Sequence, residues 1–381
     1  MGAFKAWRAY RKLPPEWRAI VFYSESGQDW HHFESLILEL TGALDRRVTY
    51  VTSDPRDPGL ALQHPNYRAL CIPEGWFLTI HFQFQRAGVV VLTMMDLNNL
   101  QLKRSINPVH YIYVFHSMGS THMVDHANSY DAYDSLFCVG PHHVRELRRR
   151  EELAGLAPRH LFEYGYPRLE SLIDAARQWQ APPRRDKAPV VLIAPTWGDD
   201  SIFNRCGDEL IEILLQAGYR VVMRPHYHTR RLTSQVLDSL IEAYGEHRRF
   251  EVVEQMAEQD SLFRSDLLVC DWSAMAIEYA LALEKPVLFI DLPRRIRNPE
   301  WQELGMEPFE SAIRTQVGEI ISPERLEHAP AAIRRLLAGR QAFAGRMREL
   351  REQAVFNLGH CVPTGAKEIA RLADLQEASR G

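Results

Sequence analysis

Two segments of the chain combine histidine and arginine with small residues in a way that suits phosphate chemistry. His116 is followed by Gly119 and Ser120, while Arg224 and His226 lie on either side of a proline. A neutral imidazole can take the proton of an attacking hydroxyl near pH 7, and glycine lets the backbone approach a phosphate closely. Arginine and imidazole donors suit a diphosphate leaving group. We therefore predict that His116 and His226 are catalytic and that Gly119, Ser120, Arg224 and His226 contact substrate.

Both segments also allow a structural interpretation. A histidine can cap the end of a strand, and a basic loop can simply be solvated, so these alternatives stay open for His116 and for residues 224–228. His226 and His228 could together bind a metal ion, but no carboxylate or cysteine lies nearby at ligand spacing. Phosphate contact therefore ranks above metal binding, and we predict no metal site and no cofactor.

A third segment, residues 266–291, has the pattern of a strand, a turn, a helix and a second strand. Apolar runs at 267–270 and 287–290 predict the strands, and Ser273 is a suitable N-cap for the helix between them. A helix that begins after a strand directs unpaired backbone N–H groups and its positive dipole end outward, which binds phosphate without a metal. An acid in the second turn could hold a ribose. The predicted nucleotide contacts are Asp271, Ser273, Ala274 and Glu278, although an ordinary β-α-β crossover remains an alternative.

Thr196 and Trp197 follow another apolar run and form the fourth segment. They are predicted to line the donor pocket, where the Trp197 ring could stack on a nucleotide base or could instead sit at the edge of the core. Asp199 and Asp200 come directly afterwards and resemble a metal-binding pair only superficially. We interpret these two acids as part of a solvated loop.

The elements that would position these residues form two successive α/β halves. In the first half, strands are predicted at 18–23, 48–52, 69–72, 88–94, 110–115, 135–139 and 161–164, and helices at 30–44 and 141–153. In the second, strands are predicted at 190–194, 220–223, 250–253, 267–270 and 287–290, and helices at 208–217 and 233–244, with further helices from about 323 that are interrupted at 359–365. The predicted domains are residues 1–179 and 190–381, joined by a proline-rich linker at 180–189.

Four of the candidate site residues lie just after a predicted strand, within three residues of its end. This holds for His116, Thr196, His226 and Ser273. In open α/β sheets, ligands bind beyond the carboxyl ends of the strands. The agreement between separate segments favours a real site over chance placement.

Several of these segments also resemble the CDP-glycerol glycerophosphotransferase family of teichoic acid primases and polymerases. Residues 271–274 resemble its Asp-Tyr-Ser-Ser signature, and Glu278 follows Asp271 at the spacing of the family's acid. Residues 194–200 resemble its Ala-Pro-Thr-(Phe/Trp)-Arg-Asp-Asp block with Gly198 in place of arginine, and residues 223–226 resemble its (Lys/Arg)-x-His block. Residues 115–120 lie where the family has His-Gly-Thr-Pro-Leu-Lys, and only His116 matches there. The resemblance covers roughly residues 110–292.

The resemblance implies a GT-B architecture, in which two Rossmann-like doubly wound domains face each other across a cleft, here with a helical C-terminal segment. It implies transfer of a polyol phosphate from a CDP-activated donor to a hydroxyl of a glycan or lipid-linked acceptor, with His116 as general base. His122 and His126 have no counterpart in the family and are interpreted as surface residues. Two alternatives stay open: a GT-B glycosyltransferase that uses a nucleotide-sugar, and an inactive nucleotide-diphosphate-binding scaffold of an envelope-polymer assembly complex.

Composition limits the remaining classes. The chain has 381 residues, 46% of them hydrophobic and 25% charged, as in soluble globular proteins of two domains. The formal net charge of −4 argues against a nucleic-acid partner. The five cysteines are scattered without metal-type spacing, and neither a signal peptide nor a membrane-spanning apolar run is present. We therefore expect a cytoplasmic protein, with peripheral attachment to the inner face of the membrane as a further interpretation.

That interpretation depends on the first thirteen residues. Phe4, Trp7, Tyr10 and Leu13 recur every three residues among four basic side chains. A basic, aromatic helix of this kind can lie in a bilayer interface. A helix packed against the first domain is an equal alternative, and the two prolines that follow would end the helix in either case.

Overall fold

The computed structural model of the chain describes residues 2–95, 97–98, 102–183, 186–254 and 259–380. These residues form two compact units. The first contains Met1–Arg168, Arg297–Met306 and Gln353–Gly381, and the second contains Leu169–Ile296 and Glu307–Glu352.

The first unit is built on a sheet of seven parallel strands. In chain order these are β1 (Ile20–Ser24), β2 (Val48–Thr52), β3 (Tyr67–Cys71), β4 (Val89–Leu92), β5 (His110–Val114), β6 (Ser135–Cys138) and β7 (His160–Glu163). Their order across the sheet is β3-β2-β1-β4-β5-β6-β7. The residues of β1, β2, β4 and β6 are all buried, as expected for apolar strands covered on both faces. Four helices of this unit lie between or before its strands: α1 (Ala3–Arg11), α2 (Trp30–Thr41), α3 (Trp76–Phe84) and α4 (Pro141–Ala154).

The second unit repeats the arrangement with six parallel strands. They are β8 (Val190–Ile193), β9 (Arg220–Met223), β10 (Phe250–Val252), β11 (Leu267–Cys270), β12 (Val287–Ile290) and β13 (Gly318–Ile321), in the order β10-β9-β8-β11-β12-β13. Its helices are α5 (Pro167–Gln178), α6 (Ile202–Arg205), α7 (Gly207–Gln216), α8 (Tyr227–Leu232), α9 (Ser234–Tyr244), α10 (Asp260–Arg264), α11 (Met275–Leu283), α12 (Phe309–Ala312), α13 (Arg314–Val317), α14 (Ala329–Ala338) and α15 (Arg340–Ala354). Short 3-10 helices lie at Pro15–Trp17, Pro58–Ala61, Trp301–Leu304 and Pro323–His328. Two doubly wound parallel sheets confirm the predicted fold class.

The last helix, α16 (Cys361–Ala378), belongs to the first unit. Cys361 and Ile369 are fully buried in the same core as Phe33 of α2, and a Cβ added to Gly365 would lie 2.3 Å from the Tyr164 ring. Glycine at this position lets the helix approach the core closely. The predicted interruption of the helices is present but lies earlier, at 355–360, and α16 begins at Cys361. The predicted second domain, residues 190–381, therefore differs from the second unit. Residues 184–185 of the predicted linker lie outside the described residues.

The amino-terminal helix α1 packs against the first unit along one face. Ala6 is fully buried, Tyr10 is 2% exposed, and the Tyr10 ring meets the ring of His81 edge-on with 4.5 Å between centroids. Leu13 is also buried, whereas Phe4 remains 53% exposed. The packed alternative is therefore correct for that face. Among the described residues, no helix is both long and apolar enough to cross a bilayer.

Candidate functional site

His116 lies just beyond the carboxyl end of β5, as predicted. Its side chain is half-buried, and the Tyr113 hydroxyl lies 3.1 Å from its Nδ1 atom. Its backbone carbonyl accepts a hydrogen bond of 3.1 Å from the Tyr166 hydroxyl. The ring of His32 lies 6.0 Å away between centroids. Two tyrosine hydroxyls therefore hold His116, one at the Nδ1 atom of its ring and one at its backbone carbonyl.

Side chains of helix α4 form hydrogen bonds with the backbone of the segment that follows His116. The Nε2 atoms of His142 and His143 lie 3.0 Å and 2.7 Å from the carbonyl oxygens of Met118 and Gly119. The Nδ1 atom of His143 accepts the backbone N–H of Val139 at 3.3 Å, so its proton is on Nε2 and is donated to Gly119. Burial lowers the pKa of His143 to about 4, which keeps the ring neutral. Two buried histidines therefore set the path of this backbone.

Glu146 makes a third contact between α4 and the segment that follows His116. One of its carboxylate oxygens accepts both the backbone N–H of Thr121 at 2.7 Å and the Thr121 hydroxyl at 2.9 Å. His122 is buried beside it, with 3.5 Å between its Nδ1 atom and that carboxylate. The interpretation of His122 as a surface residue is therefore wrong, whereas His126 is exposed. Ser120, a predicted substrate contact, is only 7% exposed.

In the second unit, the predicted residues follow three neighbouring strands. Thr196 and Trp197 follow β8, Arg224 and His226 follow β9, and Ser273 follows β11. Because β9, β8 and β11 are adjacent and parallel, their carboxyl ends meet at one edge of the sheet. The predicted donor residues are therefore brought to the same edge, where α/β sheets bind ligands.

Asp271 holds two of these segments together. It is 1% exposed, and its carboxylate oxygens accept the backbone N–H groups of Thr196 at 2.7 Å and Ile202 at 3.2 Å. Burial raises the pKa of Asp271, and the backbone donors oppose that rise. The carboxylate is used to position the segment after β8. This differs from its predicted role as a direct nucleotide contact.

Four side chains form an aromatic–basic cluster at this edge: Trp197, His226, His228 and Arg295. The Arg295 guanidinium lies 3.9 Å from the centroid of the Trp197 ring and donates to the Thr196 hydroxyl at 2.9 Å. The His228 ring lies 4.7 Å from Trp197 and 5.3 Å from His226, nearly parallel to the latter. Sequence reasoning missed Arg295. The signal was available, because Arg295 follows the apolar run of β12.

The tautomer of His226 is set by its neighbour. Its Nδ1 atom accepts the backbone N–H of His228 at 3.1 Å, so the neutral ring carries its proton on Nε2. Burial lowers the pKa of His226 to about 4, and the nearby His228 and Arg295 act in the same direction. His226 is therefore a neutral hydrogen-bond donor above that pH. A donor at Nε2 suits an anionic ligand better than it suits proton abstraction.

Arg224 contacts the beginning of α11. It is 4% exposed, and its Nη1 atom lies 3.4 Å from the sulfur of Met275, the first residue of that helix. The N-cap is Ala274, whereas Ser273 accepts a weak hydrogen bond of 3.4 Å from the Met275 N–H. The prediction of Ser273 as N-cap is therefore wrong by one residue. Glu278, one turn along, is 7% exposed.

The remaining acidic residues of the fourth segment behave as interpreted. Asp199 and Asp200 are exposed, and Asp200 forms an ion pair with Arg205. Across the described ranges, no group of three His, Cys, Asp or Glu side chains is arranged to hold a metal ion.

Solved structures share this architecture. The wall teichoic acid polymerase TagF is 16% identical, with 98% of this chain and 94% of that chain covered and a TM-score of 0.60. A histidine-to-asparagine variant of TagF soaked with CDPG gives the same identity and coverage and a TM-score of 0.61. The UDP-GlcNAc 2-epimerase of Neisseria meningitidis bound to UDP-GlcNAc is 11% identical, with 92% and 99% covered and a TM-score of 0.59. At these identities the likeness shows the fold, which is GT-B.

A comparison with curated protein sequences gives no match. The sequence model of one family, CDP-Glycerol:Poly(glycerophosphate) glycerophosphotransferase, matches residues 94–292. This range is slightly more than half of the chain and runs from just after β4 to just after β12. It includes His116, the three adjacent strand ends of the second sheet and the start of α11. The chain therefore belongs to the CDP-glycerol:poly(glycerophosphate) glycerophosphotransferase family of transferases.

Proposed function

We propose that this protein transfers a polyol phosphate resembling glycerol phosphate from a CDP-activated donor to a hydroxyl of a cell-envelope glycan or lipid-linked acceptor. Membership of the glycerophosphotransferase family supports the donor class. The observation that carries the proposal is the edge formed by β9, β8 and β11, where Arg224, the Nε2–H group of His226 and the start of α11 lie after adjacent strands. These groups suit the charge of a nucleoside diphosphate.

In the proposed reaction, the acceptor hydroxyl attacks the phosphorus atom of the polyol phosphate. The new bond joins the acceptor oxygen to that phosphorus, and the bond between the phosphorus and the oxygen that bridges to CMP breaks. His116 takes the hydroxyl proton. Arg224 and His226 contact the outer phosphate and stabilise the charge of the phosphoryl group in transfer. The first backbone N–H groups of α11 stabilise the charge that develops on CMP, and Glu278 holds the ribose. These cationic and neutral donors supply the stabilisation, so the proposed mechanism needs no metal and no cofactor.

Nucleotide titration tests the donor class. Isothermal titration with CDP, UDP and GDP is expected to show tightest binding of CDP, and turnover is expected with CDP-glycerol. Tight UDP binding without CDP binding would replace the proposal by a nucleotide-sugar transferase. Nucleotide binding without turnover on any lipid-linked acceptor would instead favour a scaffold. Mass spectrometry of the nucleotide that co-purifies with the protein provides an independent readout.

We also propose that aromatic side chains of α1 and α3 contact a membrane surface. Phe4 is 53% exposed, and Trp76 and Phe84 of α3 are 78% and 50% exposed. The rings of Phe4 and Phe77 lie 5.6 Å apart, which joins the two helices. Tyr10 is part of the core, so the exposed aromatic residues would provide the lipid contact. Lysine and arginine residues of α1 add attraction to anionic headgroups.

The membrane proposal predicts a defined loss of vesicle binding. Because α1 contributes buried residues, substitution is a cleaner test than deletion of residues 1–13. Phe4→Ser combined with Trp76→Ser is expected to reduce sedimentation with anionic vesicles and to leave CDP affinity unchanged. High salt should weaken wild-type binding, since each basic side chain near an anionic surface contributes about 1 kcal/mol. Leu375→Ser, at a site 52% exposed on α16, is the control. Equal sedimentation of the wild type, the Phe4→Ser/Trp76→Ser variant and the Leu375→Ser control would contradict the proposal.

A further inference from the structure

A pocket of the first unit lies at the opposite edge of the sheet from His116. Arg18 comes just before β1, Arg86 just before β4 and Asn107 just before β5, and all three line this pocket together with residues of α1 and α3. Because β1, β4 and β5 are adjacent and parallel, their amino ends meet at one edge, whereas His116 follows the carboxyl end of β5. We call this cavity the amino-edge pocket. Its volume is about 580 Å³, which is sufficient for a small organic ligand.

Hydrogen bonds hold the walls of the amino-edge pocket in place. The backbone N–H of Gly88 donates to the carbonyl oxygen of Arg18 at 2.9 Å, which aligns the segment before β1 with the segment before β4. The Nδ2 atom of Asn107 donates to the carbonyl oxygen of Gln85 at 3.0 Å, which joins the segment before β5 to the end of α3. A ligand would therefore enter a preformed site and would not have to order it.

The pocket carries positive charge that no acid compensates. Arg11, Arg18 and Arg86 line it, and none of its lining residues is acidic. Within the described ranges, no carboxylate forms an ion pair with these three arginines. Arg18 is half-buried, its Nε atom is enclosed without a hydrogen-bond partner, and its terminal nitrogen atoms have no acceptor among the described residues either. Guanidinium groups without acceptors favour an anionic ligand that supplies oxygen atoms, and their planar fork suits phosphate.

The apolar lining residues indicate which kind of phosphate fits. Phe84 and Ile106 are exposed and Trp7 is half-buried, so apolar side chains border the arginines. His81, at the inner side of the pocket, is buried, and burial lowers its pKa to about 4, so it adds no charge near pH 7. A fully hydrated anion gains nothing from the apolar border. A phospholipid presents a phosphate next to hydrocarbon, so it can use both the arginines and the border.

We propose that the amino-edge pocket binds the phosphate group of an anionic phospholipid headgroup, with the guanidinium groups of Arg11, Arg18 and Arg86 as donors. The proposal rests on the proposed membrane contact, because α1 and α3 also carry the exposed rings of Phe4 and Trp76. The acyl chains then lie against the apolar border of the pocket. A free phosphate shares the chemistry of the headgroup, and the experiment separates these two sources.

A soluble lipid tests the pocket without any membrane. Isothermal titration of the wild type with dihexanoyl phosphatidylglycerol, below its micellar concentration, is expected to show saturable binding. Arg18→Gln combined with Arg86→Gln should weaken this binding by about tenfold to a hundredfold, because hydrogen bonds to a charged group are lost. Arg86→Gln alone, at an exposed position, should weaken it in the same direction. The matched control is Lys5→Gln combined with Arg8→Gln, which removes two exposed charges of α1 outside the pocket and should keep the wild-type affinity.

The outcomes separate this pocket from the membrane contact. No saturable binding of the lipid by the wild type, or equal losses in the pocket variants and in the control, would overturn the proposal. Inorganic phosphate that binds as tightly as the lipid would overturn the assignment to a lipid. Phe4→Ser combined with Trp76→Ser should reduce vesicle sedimentation and keep the affinity for the soluble lipid. If it sediments like the wild type while the pocket variants lose lipid affinity, the membrane contact fails and the pocket stands.

Discussion

His116→Ala is expected to lower turnover by roughly 10²–10⁴, the contribution of a general base, while nucleotide affinity stays nearly unchanged. His116 follows β5 of the first unit, whereas the residues proposed to bind the nucleotide belong to the second. Removing its imidazole should therefore affect the chemical step and leave donor binding intact. Initial rates with CDP-glycerol and titration with CDP give the two quantities separately.

The control for this substitution is His126→Ala, which removes an exposed histidine ten residues later in the same unit. It is expected to keep the wild-type rate. A large loss of CDP affinity in His116→Ala would assign His116 to donor binding. Unchanged turnover would remove it from the mechanism altogether.

The strands next to the site could be predicted because each one is marked by a local pattern of apolar residues in the sequence. Each of β5, β8, β9 and β11 is a largely apolar run that a polar or small residue follows within two positions, and the chain leaves the sheet there. Parallel strands align such ends, so residues far apart in sequence converge without any further information. The family resemblance added the proposed class of donor to this geometry.

Other features depend on contacts that a linear pattern does not contain. β13 is a short strand of Gly-Glu-Ile-Ile, and a Cβ at Gly318 would lie 1.8 Å from the carbonyl oxygen of Val287, so only its neighbour explains the glycine. Asp271 looked like a ligand contact because it begins a signature, yet its partners are backbone groups 75 and 69 residues away.

The residues that follow β9 lead to the other large effect. Arg224→Ala and His226→Ala are each expected to weaken CDP binding by about tenfold to a hundredfold, since a hydrogen bond to a charged group contributes roughly 1.5–3 kcal/mol. CMP binding should weaken much less, because we place these donors at the outer phosphate. Titration of each variant with both nucleotides measures the difference. Arg205→Ala, an exposed arginine of the same unit, and His247→Ala, an exposed histidine, are the controls.

Two further comparisons separate specific contact from general effects in this experiment. Arg224→Lys keeps the charge but loses the guanidinium fork, so CDP affinity should recover only in part relative to Arg224→Ala.

The pKa of His226 is lowered to about 4, so its ring stays neutral from pH 8 down to pH 6 and gains a proton only well below that range. The loss of CDP affinity in His226→Ala should therefore be the same at pH 8 and pH 6. A loss that grows as the pH falls would indicate a charged imidazole, and equal losses for CDP and CMP would place these residues away from the outer phosphate.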